Sequence, residues 1–114
     1  MERVSAGQDG SADRMRASLA KVWQRSKEAI NRRAKTIEDH IAACARGAFD
    51  EGLRAKAEAE AHKLTGSLGV FALPEASEIA RQIEEILSDR QASRDADLLS
   101  VRLAALRTAM ELPP

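Results

Sequence analysis

The chain has 114 residues, which fits one small domain, and its 18 basic residues balance 18 acidic ones. Zero net charge argues against nucleic acid as the main partner, because phosphate contacts require an excess of Lys and Arg. A single cysteine, Cys44, excludes an internal disulfide framework and fits a reducing compartment.

No apolar run approaches the roughly 18 residues of a membrane span, and the start of the chain lacks the hydrophobic segment of a signal peptide. The expectation is a cytoplasmic protein with no membrane partner. Aromatics are only 3% of the chain, so its core must come from Leu, Ile, Val and Ala, which suits closely approaching helices.

Residues 1–10 carry Ser, Gly, Gln and Asp without periodicity and are expected to form a disordered tail, leaving a helical bundle over 11–112. Ser11 or Asp13 can cap the first helix. From Asp13 to Arg46 there is no proline or glycine, and Leu19, Trp23, Ile30, Ile37, Ile41 and Cys44 approximate a seven-residue repeat. At about 1.5 Å per residue that segment is roughly 50 Å long, more than a bundle of this size needs. A bend or break near Asn31-Arg32-Arg33 is therefore expected.

Gly47 supplies a stop, since glycine takes the left-handed conformation cheaply, and Asp50 caps a second helix from about Glu51 to Phe71. Pro74 opens a third, with Ala76, Ile79, Ala80, Ile83 and Leu87 as its apolar face and an end near Ser88. Ser93 is the expected cap of a fourth, along which Ala96, Leu99, Leu103, Leu106 and Met110 recur at steps of three and four. Pro113 and Pro114 mark a domain end or the start of a linker. No segment alternates as a strand does, so the class is all-α: an up-down four-helix bundle with a long or bent first helix.

The stretch from Glu60 to Gly69 stands apart. It sits inside the second helix yet holds Gly66 and Gly69, each costing about 0.8–1 kcal/mol relative to alanine. At about 100° per residue, Leu53, Ala57, Ala61, Leu64 and Leu68 share one apolar stripe, and His62 lies roughly 130° from its centre. Gly66 follows His62 by one turn on the same face, with Thr65 and Gly69 beside that row. Helical neighbours at three and four positions would otherwise crowd the ring. The helix thus presents an exposed imidazole on a surface cleared for a partner.

In Ala61-His62-Lys63-Leu64 and Gly66-Ser67, and downstream in Phe71-Ala72-Leu73-Pro74-Glu75-Ala76, the sequence resembles histidine-containing phosphotransfer (HPt) domains of bacterial phosphorelays. The resemblance implies a four-helix bundle in which His62 accepts a phosphoryl group from a receiver-domain aspartate and passes it to another receiver. It implies receiver domains of response regulators, and a hybrid histidine kinase, as partners. It also implies a phosphocarrier without turnover of its own and without a cofactor, the Mg²⁺ belonging to the partner receiver. Lys63, Thr65, Gly66, Ser67 and Gly69 would form the docking and phosphoryl surroundings, with Glu58 at the rim, and Gln82 is a candidate to bond the other ring nitrogen. The chain departs from the family pattern where Thr65 stands in place of a lysine. A threonine hydroxyl gives a neutral hydrogen bond, weaker than a charge-assisted one.

The plainer readings are a phosphotransfer-inactive HPt-like module that only binds protein, and a helical segment that dimerises through its long first helix; a monomer is the expectation. His40, next to Asp39, reads as solvated surface, and Cys44 as core. Neither joins His62 in a metal-ligand spacing, and there is no phosphate-binding glycine loop or nucleophile elbow.

Overall fold

The computed structural model describes residues 2–111, with side chains from Gly10 onward. It comprises α1 (Glu2–Ala45), α2 (Glu51–Val70), α3 (Pro74–Ser88), a 3₁₀ turn (Ala92–Arg94) and α4 (Ala96–Glu111), with no strand among the described residues. The prolines at 113 and 114 lie outside the described residues.

Each helix end has a local cause. After α1, the Ala48 amide bonds Ala43 O at 2.8 Å and the Gly47 amide bonds Cys44 O at 3.0 Å, with Gly47 at φ 73°. This pattern closes a helix with one left-handed residue, for which glycine has no Cβ penalty. Asp50 caps α2 by accepting the Leu53 amide at 2.8 Å. α2 ends with the same closure as α1, but Ala72 occupies the left-handed position at φ 58°. Pro74 stands in the first turn of α3, where its missing N–H is not needed.

Two expected starts are corrected. α4 is capped by Asp95, whose carboxylate accepts the Leu98 amide at 3.0 Å, and Ser93 is instead buried in the 3₁₀ turn. α1 already runs from Glu2, so neither Ser11 nor Asp13 begins it. No proline interrupts this stretch, and each residue added to an existing helix gains a hydrogen bond without a new nucleation cost.

The bend expected near Asn31-Arg32-Arg33 is absent as well. The 44 residues of α1 at about 1.5 Å each make about 66 Å, and the longest dimension of the molecule is 66 Å. The helix is straight because its buried row runs through the basic run without a break: Trp23, Ile30, Ala34, Ile37 and Ile41. Before Trp23 the other helices have ended, so Met15, Leu19 and Val22 are exposed.

The helices form a ring in which each packs on its sequence neighbours and α4 closes on α1. Cross-helix contacts give the directions. Arg33 bonds Glu60 while Trp23 meets Phe71 edge to face at 5.2 Å, so α1 and α2 are antiparallel. Arg54 reaches Leu87 O while Ser77 reaches Thr65 O, so α2 and α3 are antiparallel too. The core is aliphatic and rich in alanine: Ala57, Ala61, Leu64 and Leu68 of α2 face Ala76, Ala80, Ile83 and Leu87 of α3 and Leu99, Leu103 and Leu106 of α4. Among these, only Leu103 keeps any exposure above 1%.

His40 is a correction with a physical reason. It is fully buried, and its Nε2–H donates to Ser93 O at 2.7 Å. The connection between α3 and α4 folds over that face of α1, and Phe49 stands edge-on to the ring with the Arg94 guanidinium 3.8 Å above Phe49. Cys44 is half-buried beside the same imidazole, 3.4 Å from Nε2. Burial pushes its thiol up from the ordinary cysteine value, so it favours the neutral form.

Candidate functional site

His62 stands in the middle of α2 with 76% of its side chain exposed. Its backbone is held by the buried row below it, Ala57, Ala61, Leu64 and Leu68, so the ring projects from a rigid support. Nδ1 lies 3.0 Å from Glu84 Oε2 on α3. An ionised carboxylate can only accept, so Nδ1 carries the proton and Nε2 of the neutral ring carries the lone pair. Glu84 fixes both the tautomer and the ring plane, and it leaves the outward nitrogen free.

Gln82 does not take this part. Its Oε1 is buried without a partner, and Glu84 supplies the contact instead. Sequence reasoning missed Glu84 because the acids at 84 and 85 look equivalent in the chain. Only the register of α3 on α2 turns one of them to the imidazole.

The residues around the ring separate into two flanks. On the α3 side, the Ser77 hydroxyl donates to Thr65 O at 2.8 Å, and a Cβ built on Gly69 would lie 3.8 Å from Ser77 Oγ. The Thr65 hydroxyl is itself engaged, donating to Ala61 O at 3.0 Å. On the α1 side, Glu60 bonds Arg33 at 2.7 Å and holds Lys63 at 3.5 Å. Burial works against the Glu60 carboxylate, yet Arg33 and then Lys63 keep it below the ordinary range. Lys63 therefore leans away from His62. Ser67, two turns beyond Glu60, lies on this same flank and is half-buried.

Gly66 is the most informative position. A Cβ there would meet nothing within 4 Å. No neighbour in the chain requires the glycine, and its backbone is ordinary helix. The open surface that it leaves continues the row of His62 one turn along, and the row ends in Val70, 78% exposed.

Arg54 anchors the other end of the α2–α3 seam. Its guanidinium bonds Glu51 and Glu58 and donates to Leu87 O at 2.8 Å, which occupies one of the free carbonyls at the end of α3. Beside it a recess of about 710 Å³ opens, lined by Phe49, Leu87, Arg90 and Arg94 among others. His62 is not part of it. The ring stands on an open surface, where it can be approached by a protein more readily than it can enclose a small molecule. Among the described residues no cluster of His, Cys, Asp and Glu could hold a metal ion, and no helix is long and apolar enough to cross a membrane.

A family model described as Hpt domain matches residues 21–112. No curated protein and no solved structure matches the chain.

Proposed function

The chain belongs to the Hpt domain family, a family of phosphorelay phosphocarriers, and from that premise we propose that His62 is its phosphoryl acceptor. The observation that carries this reading is the pairing of Nδ1 with Glu84 beside a face that Gly66 leaves open.

The step follows from that geometry. The Nε2 lone pair attacks the phosphorus of an aspartyl phosphate on a receiver domain, the N–P bond forms, and the bond from phosphorus to the carboxylate oxygen breaks. The aspartate leaves with the electron pair, and no proton moves. The ring, still protonated on Nδ1, becomes cationic, and the Glu84 carboxylate stabilises that charge. The reverse step returns the phosphoryl group to a second receiver.

Gly66 and Gly69 let the partner's phosphate approach, and Thr65, Lys63 and Ser67 stand around the docking face. The divalent metal such a transfer uses, Mg²⁺, belongs to the receiver, so this chain needs no cofactor of its own and has no turnover of its own. Its partners are receiver domains, with a hybrid histidine kinase as a further candidate, and not nucleic acid or membrane. The transferring unit is the bundle over 11–112, acting as a cytoplasmic monomer.

Incubation with phosphorylated receiver domains tests the reading. Acid-labile, alkali-stable phosphate is expected on the wild type and not on His62→Gln. A second reading draws on the engaged Thr65 hydroxyl: a bundle that binds receivers but no longer accepts phosphate. A folded protein that binds receivers yet takes no label from any of them would favour that module.

A further inference from the structure

A phosphoryl group on His62 brings up to about two negative charges to a surface that already carries Glu84 against the ring and Glu58 one turn back. Some cation must offset them, and the structure removes most candidates. Lys63 and Arg33 share Glu60 on the opposite flank. Arg54 is fixed on Glu51, Glu58 and Leu87 O, with only 18% of its side chain exposed. Thr65, the residue one turn beyond His62, is neutral and already bonded to Ala61 O.

Lys63 is only loosely paired, but it stands on the α1 flank; on the α3 flank, where Glu84 holds the ring, the cation at this level is Arg81. Ser77 and Glu84 of α3 both reach α2, the first at Thr65 and the second at His62. Arg81 lies one turn from each of them, so its level along the groove falls between Thr65 and His62. At about 100° per residue it is turned roughly 40–60° from that pair towards solvent, which puts it on the rim of the groove. Its side chain is 45% exposed and pairs with Glu78 and Glu85, themselves 52% and 65% exposed. Arg81 holds Glu78 by two parallel bonds and Glu85 by a third. These exposed pairs are screened by solvent, and a phosphoryl group competes for the guanidinium with charge-assisted, bidentate bonds and up to about two negative charges.

We propose that Arg81 swings from Glu78 and Glu85 to the phosphoryl oxygens of phosphorylated His62 and is the cation that shields them. The inference rests on His62 being the acceptor. The movement needs only side-chain rotation, because the α3 backbone stays packed through Ala76, Ala80, Ile83 and Leu87.

The test is the lifetime of phosphohistidine after labelling from a phosphorylated receiver and removal of that receiver. Arg81→Ala is expected to take label on His62 but to lose it at least about tenfold faster than wild type, as one charge-assisted contact predicts. Arg81→Lys should fall between Arg81→Ala and wild type, because an ammonium keeps the charge but not the bidentate fork, and Thr65→Lys added to Arg81→Ala should lengthen the lifetime again by supplying charge from α2. Arg102→Ala, which removes an exposed arginine of α4, should decay as wild type does. Equal lifetimes for Arg81→Ala and wild type, with circular dichroism showing both bundles folded, would overturn the role of Arg81 and leave His62 as acceptor. No label on the wild type itself would overturn both.

Discussion

Gly66 separates stability from function more cleanly than any other position. In the interior of an exposed helix, alanine is favoured over glycine by about 0.8–1 kcal/mol. At Gly66 nothing offsets that gain, since an added Cβ meets no atom within 4 Å and the backbone is right-handed helix. Gly66→Ala should therefore raise the melting temperature by about 3–4 °C for a domain of this size. Gly66→Leu should melt at least as high as wild type, because leucine is also a good helix former and its side chain enters open space. The two variants should part in transfer. A leucine one turn from His62 keeps a receiver from bringing phosphorus to the 3–3.5 Å attack distance, and a misplacement of that order lowers the rate by about 10- to 100-fold. Thermal melts followed by circular dichroism give the first quantity, and rapid-quench transfer from a phosphorylated receiver gives the second. A Gly66→Leu variant that is stable and transfers at the wild-type rate would refute the reasoning, and so would a Gly66→Ala variant that melts lower.

Other expectations follow from single contacts. Glu84→Ala should slow phosphorylation of His62 by about tenfold, the worth of one hydrogen bond to a charged group, with Glu84→Gln between it and wild type because an amide oxygen still accepts from Nδ1–H without the charge. Equal rates for all three would remove the carboxylate from the mechanism. His40→Leu leaves Ser93 O with only the weak Cys44 thiol donor at 3.7 Å and should cost about 1 kcal/mol or more in urea unfolding, while transfer through His62 stays unchanged. The Asp89 carboxyl is held below its ordinary range by the Ala92 and then the Gln91 amides, so its folded value is lower than its unfolded one. That stabilisation is present above the unfolded value and is lost as pH falls through the folded one. The gap in urea midpoint between wild type and Asp89→Asn should therefore shrink from pH 7 to pH 3, and a constant gap would contradict this assignment.

Much of the fold was legible because it depends on neighbours within a few residues. Gly47, Asp50 and Pro74 each act on backbone groups next to them, and the structure ends or starts a helix at each. The apolar rows of α2 and α3 follow from the helical period alone, as does the exposure of His62 and Gly66 on the far side of the α2 row. None of this needs knowledge of what packs against the helix.

The misread positions all depend on residues distant in the chain. His40 looked solvated beside Asp39, but a connection fifty positions later folds over it. A bend seemed necessary in α1 because its length was judged alone, whereas α2 and α4 hold its buried row straight and end at the level of Trp23, beyond which α1 continues alone. Glu84 and not Gln82 reaches the imidazole because α2 and α3 settle in the register that closes their alanine and leucine faces. The sequence by itself determined where helices run and which face each buries, since backbone sterics and hydrogen bonds of near neighbours dictate both. Only the tertiary structure decided which polar side chains meet across helices, because that register comes from packing between surfaces far apart in the chain.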